Sequence, residues 1–438
     1  MARRKKRSSE EREEKIKENI SEEQSSDFVA ELVDFVKSEL DKVITYVEPA
    51  CVSTGIKPLD AILGGGFYTS LLTGITSPAE TGKSTIAVQM AVKLLKQNPN
   101  SLVMYIDTET PPIKDYQLFR ITQYSRLRNF GATENEIRRF IYAPGLKKLS
   151  TIFEEIVKFV NKKQEVEKKR NVEPIPMFII FDSITEAIPD VLLEDLKKGK
   201  LEKLRPGLVA QEKQEFLSKI QYACEQNNIG LILLDQVRMD IQINPYQKSD
   251  NTVKHNSYKT ASSFKALEHK TRQWIFLEKG KNLTGEYPDV VGWMLTVHID
   301  KSKTIPSTGM NVEVVFDKRY GLNEFWSHFH FLSNRMPFED RFLKNASIPS
   351  QTRRHYEENA SLAIQNNKIF FPGITSEPIS YRSKLDVYRK YNEDEKFKKL
   401  FDKIVEESVN RRINYFIESG FEFSNINDKE ENGENNSG

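Results

Sequence analysis

The chain has 438 residues, 29% of them charged and 38% hydrophobic, and a formal net charge of only +2. That length suits one large core with smaller appendages, and the near-balance of charge excludes a surface that is basic all over, so basic character must be local. Its two cysteines, Cys51 and Cys224, have no metal-type spacing, which argues against a structural zinc or a disulfide framework and fits a reducing compartment.

Residues 1–26 are polar, with basic residues throughout positions 3–7 and then alternating Glu and Lys. This stretch reads as a disordered charged tail, either solvated or serving as a DNA-binding arm, and it lacks the apolar run of a signal peptide. Within 27–50, FVAELVDFVKSELDKVITY (28–46) spaces its apolar residues for an amphipathic helix, an oligomerisation element with a stripe suited to docking on a neighbour. A core over 51–336 follows. In it LLTGI (71–75), LVMYI (102–106), MFIIF (177–181), IGLILL (229–234), MLTVHI (294–299) and VEVVF (312–316) alternate with helical patterns. That alternation predicts an α/β fold with a mainly parallel sheet covered on both faces, and none of these runs is long enough to span a bilayer. Residues 337–423 predict a small, mainly helical C-terminal domain, notably over 396–421, and 424–438 an acidic disordered tail. The expectation is a soluble protein of the cell interior.

Chemistry concentrates at the ends of the predicted strands. Ser77, Pro78, Ala79, Glu80, Thr81, Gly82, Lys83, Ser84 and Thr85 follow the strand-like LLTGI and open a helix, the context of a phosphate-binding loop, with Ser77 where the pattern G-x-x-x-x-G-K-[ST] has its first glycine. Backbone N–H groups and the helix start would cradle phosphate, Lys83 would meet the β and γ phosphates of a nucleotide, and Ser84 would ligate Mg²⁺. Ser77 suits the turn if its dihedrals stay in an ordinary region. YIDTET (105–110) puts Glu109 at a strand end, as a base for water or as a helix cap. MFIIFD ends on Asp182, an Mg²⁺ holder or a simple cap, and LILLDQ ends on Gln236, an amide placed to sense the γ-phosphate. Two long basic segments follow strand ends. One, 192–207, carries Lys197, Lys198, Lys200, Lys203 and Arg205; the other, about 240–265, carries Tyr246, Lys248, Lys254, Tyr258 and Lys259, with Arg238 just before it. Either is a solvated loop or a DNA-binding loop, its cations meeting phosphates and its tyrosines meeting bases.

With these residues assembled, the chain resembles the RecA-type homologous recombinases over roughly residues 50–330, most of all the phage UvsX branch. VSTGIKPLDAILGGGF (52–67) is similar to the family's lead-in, SPAETGKST to its phosphate loop, IDTE, FDSIT and DQVRM to its catalytic, Mg²⁺ and sensor strands, and HIDKSKTIP (298–306) to its paired-lysine segment. The charged stretch YRSKLDVYRKY (381–391) resembles UvsX as well. The resemblance implies a RecA-like P-loop ATPase that uses ATP and Mg²⁺, polymerises as a helical filament on single-stranded DNA and exchanges strands with homologous duplex. A single-strand-binding protein and a loader are implied accessory partners, and the implied location is the nucleoid or a site of DNA replication in the cytoplasm, the host cell interior if viral. It makes Lys301 and Lys303 a pair that reaches the ATP of the adjacent subunit, and Tyr124 an adenine-stacking residue. The chain departs from the family at Ser77, at Ser262 and Ser263 where RecA has a glycine pair, and at Asp235 where RecA has an amide. The competing readings are a RecA-fold hexameric helicase and an ATP-gated recombination mediator with little turnover.

Overall fold

The computed structural model describes residues 33–38, 47–110, 117–197, 206–239, 258–259, 270–333, 363–365, 368–371, 379–410 and 413. Two compact units divide at Glu48 and Pro49. In the first, residues 33–38 form an exposed helical segment within the expected amphipathic helix; the rest of that element and both tails, 1–26 and 424–438, lie outside the described residues.

The second unit is built on β1 (Cys51–Val52), β2 (Phe67–Tyr68), β3 (Leu72–Ser77), β4 (Leu102–Asp107), β5 (Phe140–Pro144), β6 (Met177–Asp182), β7 (Ile229–Gln236), β8 (Arg238–Met239), β9 (Tyr258–Lys259), β10 (Gln273–Thr284), β11 (Val291–Ser302), β12 (Asn311–Asp317) and β13 (Gly321–Leu322). Nine of these strands form one sheet in the order β13-β12-β11-β10-β3-β7-β6-β4-β5. The run from β10 through β3, β7, β6 and β4 to β5 is parallel throughout, while β11, β12 and β13 extend it in antiparallel fashion. The expected mainly parallel α/β sheet is therefore present, with a meander on one side.

Period-2 alternation explains why the central strands read as unbroken apolar runs. Phe178 and Ile180 of β6 join one buried cluster, with the helices Lys57–Leu63, Lys83–Gln97, Glu324–Ser333 and Glu395–Val409. Met177, Ile179 and Phe181 join the other, with the helices Leu149–Arg170 and Pro206–Glu225. A strand covered on both faces needs apolar residues on both. The charged stretch near 161–174 lies largely on the helix Leu149–Arg170, where Lys163 and Glu167 form a buried ion pair. Lys163 Nζ also donates to Asn227 O at 2.8 Å, and Glu167 Oε1 accepts from Ile175 N at 2.7 Å, so both charges are satisfied.

The C-terminal region carries the expected helices, Lys384–Glu393 and Glu395–Val409, and in addition a three-stranded antiparallel sheet of β14 (Ala363–Gln365), β15 (Lys368–Phe371) and β16 (Ile379–Tyr381). Its helices belong to the same compact unit as the core: fully buried Phe401 stacks on Phe325 with ring centroids 5.2 Å apart. No helix among the described residues is long and apolar enough to cross a membrane.

Candidate nucleotide site

The carboxyl ends of β3, β4, β6 and β7 lie side by side, the place where open parallel sheets bind ligands. Ser77 is the last residue of β3 and fully buried. It is absent from the residues with positive φ, so the missing glycine costs no backbone strain. Its hydroxyl oxygen accepts from Lys83 Nζ at 3.0 Å, and the same ammonium donates to Ser77 O at 3.2 Å and Pro78 O at 3.1 Å. Glu80 and Gly82 take left-handed φ of 57° and 116°, curling the loop before the helix Lys83–Gln97 begins. Gly82 is required twice over, since a Cβ there would also come within 2.6 Å of Phe316 Cζ. Thr81 Oγ1 donates to Pro78 O at 3.0 Å, tying the loop across itself. Pro78, Ala79 and Thr85 take their expected places in this loop and helix start.

Ser84 Oγ donates to Asp182 Oδ2 at 2.6 Å, so the two expected Mg²⁺ ligands sit together. Both are hard oxygen donors, as Mg²⁺ prefers. Among the described residues no group of three or more His, Cys, Asp or Glu could cage a metal. Burial pushes the Asp182 carboxyl up and the Lys83 ammonium down, and the carboxylates of Asp182, Glu109 and Asp235 oppose the effect on Lys83.

Glu109 follows β4 with its side chain exposed. Desolvation, then the charge of Asp182, holds its carboxyl above the ordinary value. Its turn is fixed by Asp107, whose Oδ1 accepts from Glu109 N at 3.0 Å and Thr110 N at 2.9 Å. Thr108 Oγ1 donates to Ser183 O at 2.7 Å and accepts from Ser183 N at 3.0 Å, locking the exits of β4 and β6 together. Gln236 leaves β7 exposed, in register with Ser77. Beside it, buried Asp235 accepts from Gln236 N at 3.0 Å and from Thr185 Oγ1, and burial pushes its carboxyl up to about 7. Lys213, buried on the helix Pro206–Glu225, donates to Ile184 O at 3.0 Å, its ammonium lowered by burial and supported by the charge of Asp235. Sequence reasoning missed Asp107, Thr108, Thr185 and Lys213. Only Asp107 carried a signal, because an Asp two and three residues before the N–H groups of a turn is a ready acceptor for them.

The site thus brings together the loop, Lys83, Ser84, Asp182, Glu109 and Gln236. Tyr124 is on the helix Gln117–Asn129, half-buried with its ring against the main apolar cluster. Lys301, the penultimate residue of β11, pairs with Trp274, which pairs with Gly74 of β3. Lys303 N donates to Arg272 O at 2.9 Å, just before β10. Both lysines therefore lie toward the amino end of β3, away from the phosphate loop. Among the expected DNA-contacting residues, Lys197 ends the helix Asp190–Lys197. Arg238, Tyr258 and Lys259 lie on the β8–β9 ribbon, with Arg238 in register opposite Lys259. Lys198, Lys200, Lys203, Arg205, Tyr246, Lys248 and Lys254 lie outside the described residues, as do Ser262 and Ser263.

The Rad51 family model matches residues 47–284. A protein of Thermococcus kodakarensis named DNA repair and recombination protein RadB is 27% identical over 189 residues, 43% of this chain and 71% of its own. The protein of that name from Pyrococcus horikoshii is 27% identical over 198 residues, 45% of this chain and 72% of its own. A third, from Thermococcus gammatolerans, is 37% identical over 94 residues, 22% of this chain and 38% of its own.

Proposed function

Because the chain belongs to the Rad51 family, we propose that it is a DNA-dependent ATPase that assembles as a helical filament on single-stranded DNA and carries out homologous pairing and strand exchange. The observation that carries this reading is the convergence of Lys83, Ser84, Asp182, Glu109 and Gln236 at the carboxyl end of one parallel sheet. Lys83 would exchange the loop oxygens it now binds for β- and γ-phosphate oxygens, with the loop N–H groups completing the cradle. Ser84 and Asp182 would hold Mg²⁺, which, when bound, neutralises charge developing on the phosphates. Glu109 would orient and deprotonate the attacking water, and Gln236 would report the γ-phosphate to the segment that begins at the β8–β9 ribbon. That ribbon sets Arg238, at the start of the second basic segment, opposite Lys259, which supports that segment's reading as a DNA-binding loop.

The position of Lys301 and Lys303 supports the filament. From the level of Gly74, Lys301 is about 10 Å along the strand and about 10 Å across two strands from Ser77, beyond a lysine's reach to its own phosphate loop. A neighbour stacked head to tail would bring them to its nucleotide. The finer placement in the phage UvsX branch rests on the resemblance of the charged stretch YRSKLDVYRKY (381–391). The test is ATPase activity with and without single-stranded DNA, strand exchange with homologous substrates, and electron microscopy of the DNA complex. DNA-stimulated turnover, filaments and joint molecules are expected. Closed rings that unwind duplex would replace this reading with the helicase, and negligible turnover with the mediator.

A further inference from the structure

Asp107 and Asp182 are register partners on β4 and β6, and only 7% and 9% exposed. Two buried carboxylates on neighbouring strands repel each other and each needs donors. Each has a tyrosine. Tyr105, fully buried, donates its phenol O–H to Asp182 Oδ2, the oxygen that also accepts from Ser84. Tyr142, half-buried on β5, donates to Asp107 Oδ2 at 2.6 Å, the rings lying 6.0 Å apart.

We propose that Tyr105 and Tyr142 are positioning residues of the nucleotide site, Tyr105 aiming the Asp182 carboxylate at the divalent cation and Tyr142 fixing, through Asp107, the turn that presents Glu109. With both side-chain donors on Oδ2, Asp182 Oδ1 is the oxygen left for the cation's hydration shell. The chain Tyr142 O–H, Asp107, Glu109 N does the same for the water-activating carboxylate: Asp107 Oδ1 holds the backbone of Glu109 while Oδ2 is held by Tyr142 and by Thr110 Oγ1 at 2.6 Å. This rests on the nucleotide-hydrolase reading above, and the test distinguishes its failure from a failure of that reading.

The experiment uses the full chain and follows binding of a fluorescent ADP as Mg²⁺ is titrated, alongside steady-state turnover and thermal melting without nucleotide. Tyr105→Phe should raise the half-saturating Mg²⁺ about tenfold, the scale of one hydrogen bond to a charged acceptor. Tyr142→Phe should leave that value unchanged and lower kcat about tenfold at constant KM, for the same reason. Variants that lose only melting temperature, or that match the wild type in both readouts, overturn the proposal. If Tyr105→Phe does not fold, the Tyr142→Phe split decides alone: a fall in kcat at constant KM supports the proposal and an unchanged kcat overturns it. A wild-type chain that does not bind nucleotide overturns the underlying reading instead, and the proposal with it.

Discussion

Asp235 and Gln236 are neighbours on β7, one buried and one exposed. The strand alternates its side chains, so Asp235 and Gln236 point to opposite faces of the sheet. A carboxylate in that inward place is costly, and burial, opposed by the Gln236 N–H and by Lys213, brings its pKa to about 7. With a folded pKa above the unfolded value, the native state binds the extra proton between about pH 4 and 7, so Asp235 lowers stability as pH rises through that window. Asp235→Asn keeps the acceptor for Gln236 N. It should melt higher than the wild type at pH 8, with the difference closing toward pH 5; a pH-independent difference would show that packing, not charge, sets it. Glu109→Gln keeps the side chain's size while removing the base. Turnover should fall about 10²–10⁴-fold with nucleotide binding retained, and normal hydrolysis would reduce Glu109 to a cap. The strand-end residues Lys83, Ser84, Glu109, Asp182 and Gln236 were legible because each follows an apolar run at a fixed offset. Lys213 and Thr185 were not, because they reach the site from a helix and a turn distant in sequence.

At the scale of elements, what escaped the sequence is what lacks a period. In β10, QWIFL is buried but EKGKNLT runs out polar and exposed except at half-buried Glu278 and buried Leu283, so no single pattern spans the strand that joins the parallel sheet to the antiparallel meander. The strands β14–β16 are three or four residues each, too short to announce themselves beside helical neighbours. The helix Leu149–Arg170 shows the opposite case. It is densely charged toward its end, yet Lys163 and Glu167 sit inside because Asn227 and Ile175 supply their remaining partners. The C-terminal helix Glu395–Val409 is the strongest prediction at this scale. Its Asp394 cap accepts from Lys396 N and Phe397 N, and Phe401 is the buried knob that meets Phe325, Tyr391 and Phe397. Phe401→Ala should cost about 3–5 kcal/mol by chemical denaturation. A cost within the range of a surface substitution would mean that the helix rests on the core without stabilising it.

For the whole molecule, the sheet's direction matters more than any one contact. Strand polarity puts Glu109 at one end of the sheet and Lys301 and Lys303 toward the other. Under the proposed function, one chain would hold two parts of a catalytic centre that it could not join by itself. In the proposed filament a head-to-tail stack would join them at each interface, the site owner giving Glu109 and its neighbour the lysines, and such heterologous contacts propagate into open helical polymers. The double variant Lys301→Ala/Lys303→Ala should bind nucleotide as a monomer and show almost no DNA-stimulated turnover, the lysines acting as an arginine finger does, an effect of about 10³–10⁵ in rate. Mixing it with Glu109→Gln, itself inactive, discriminates cleanly. In a random equal mixture, about a quarter of the head-to-tail interfaces would pair an intact Glu109 with intact lysines, so turnover should recover toward about a quarter of the wild-type rate and fall on either side of equal mixing. If the lysines served their own subunit, no interface in the mixture could be complete and turnover would stay flat at every ratio. That flat titration, with co-assembly verified by differently labelled variants, would overturn the shared site and leave the two lysines a role in holding the end of β11.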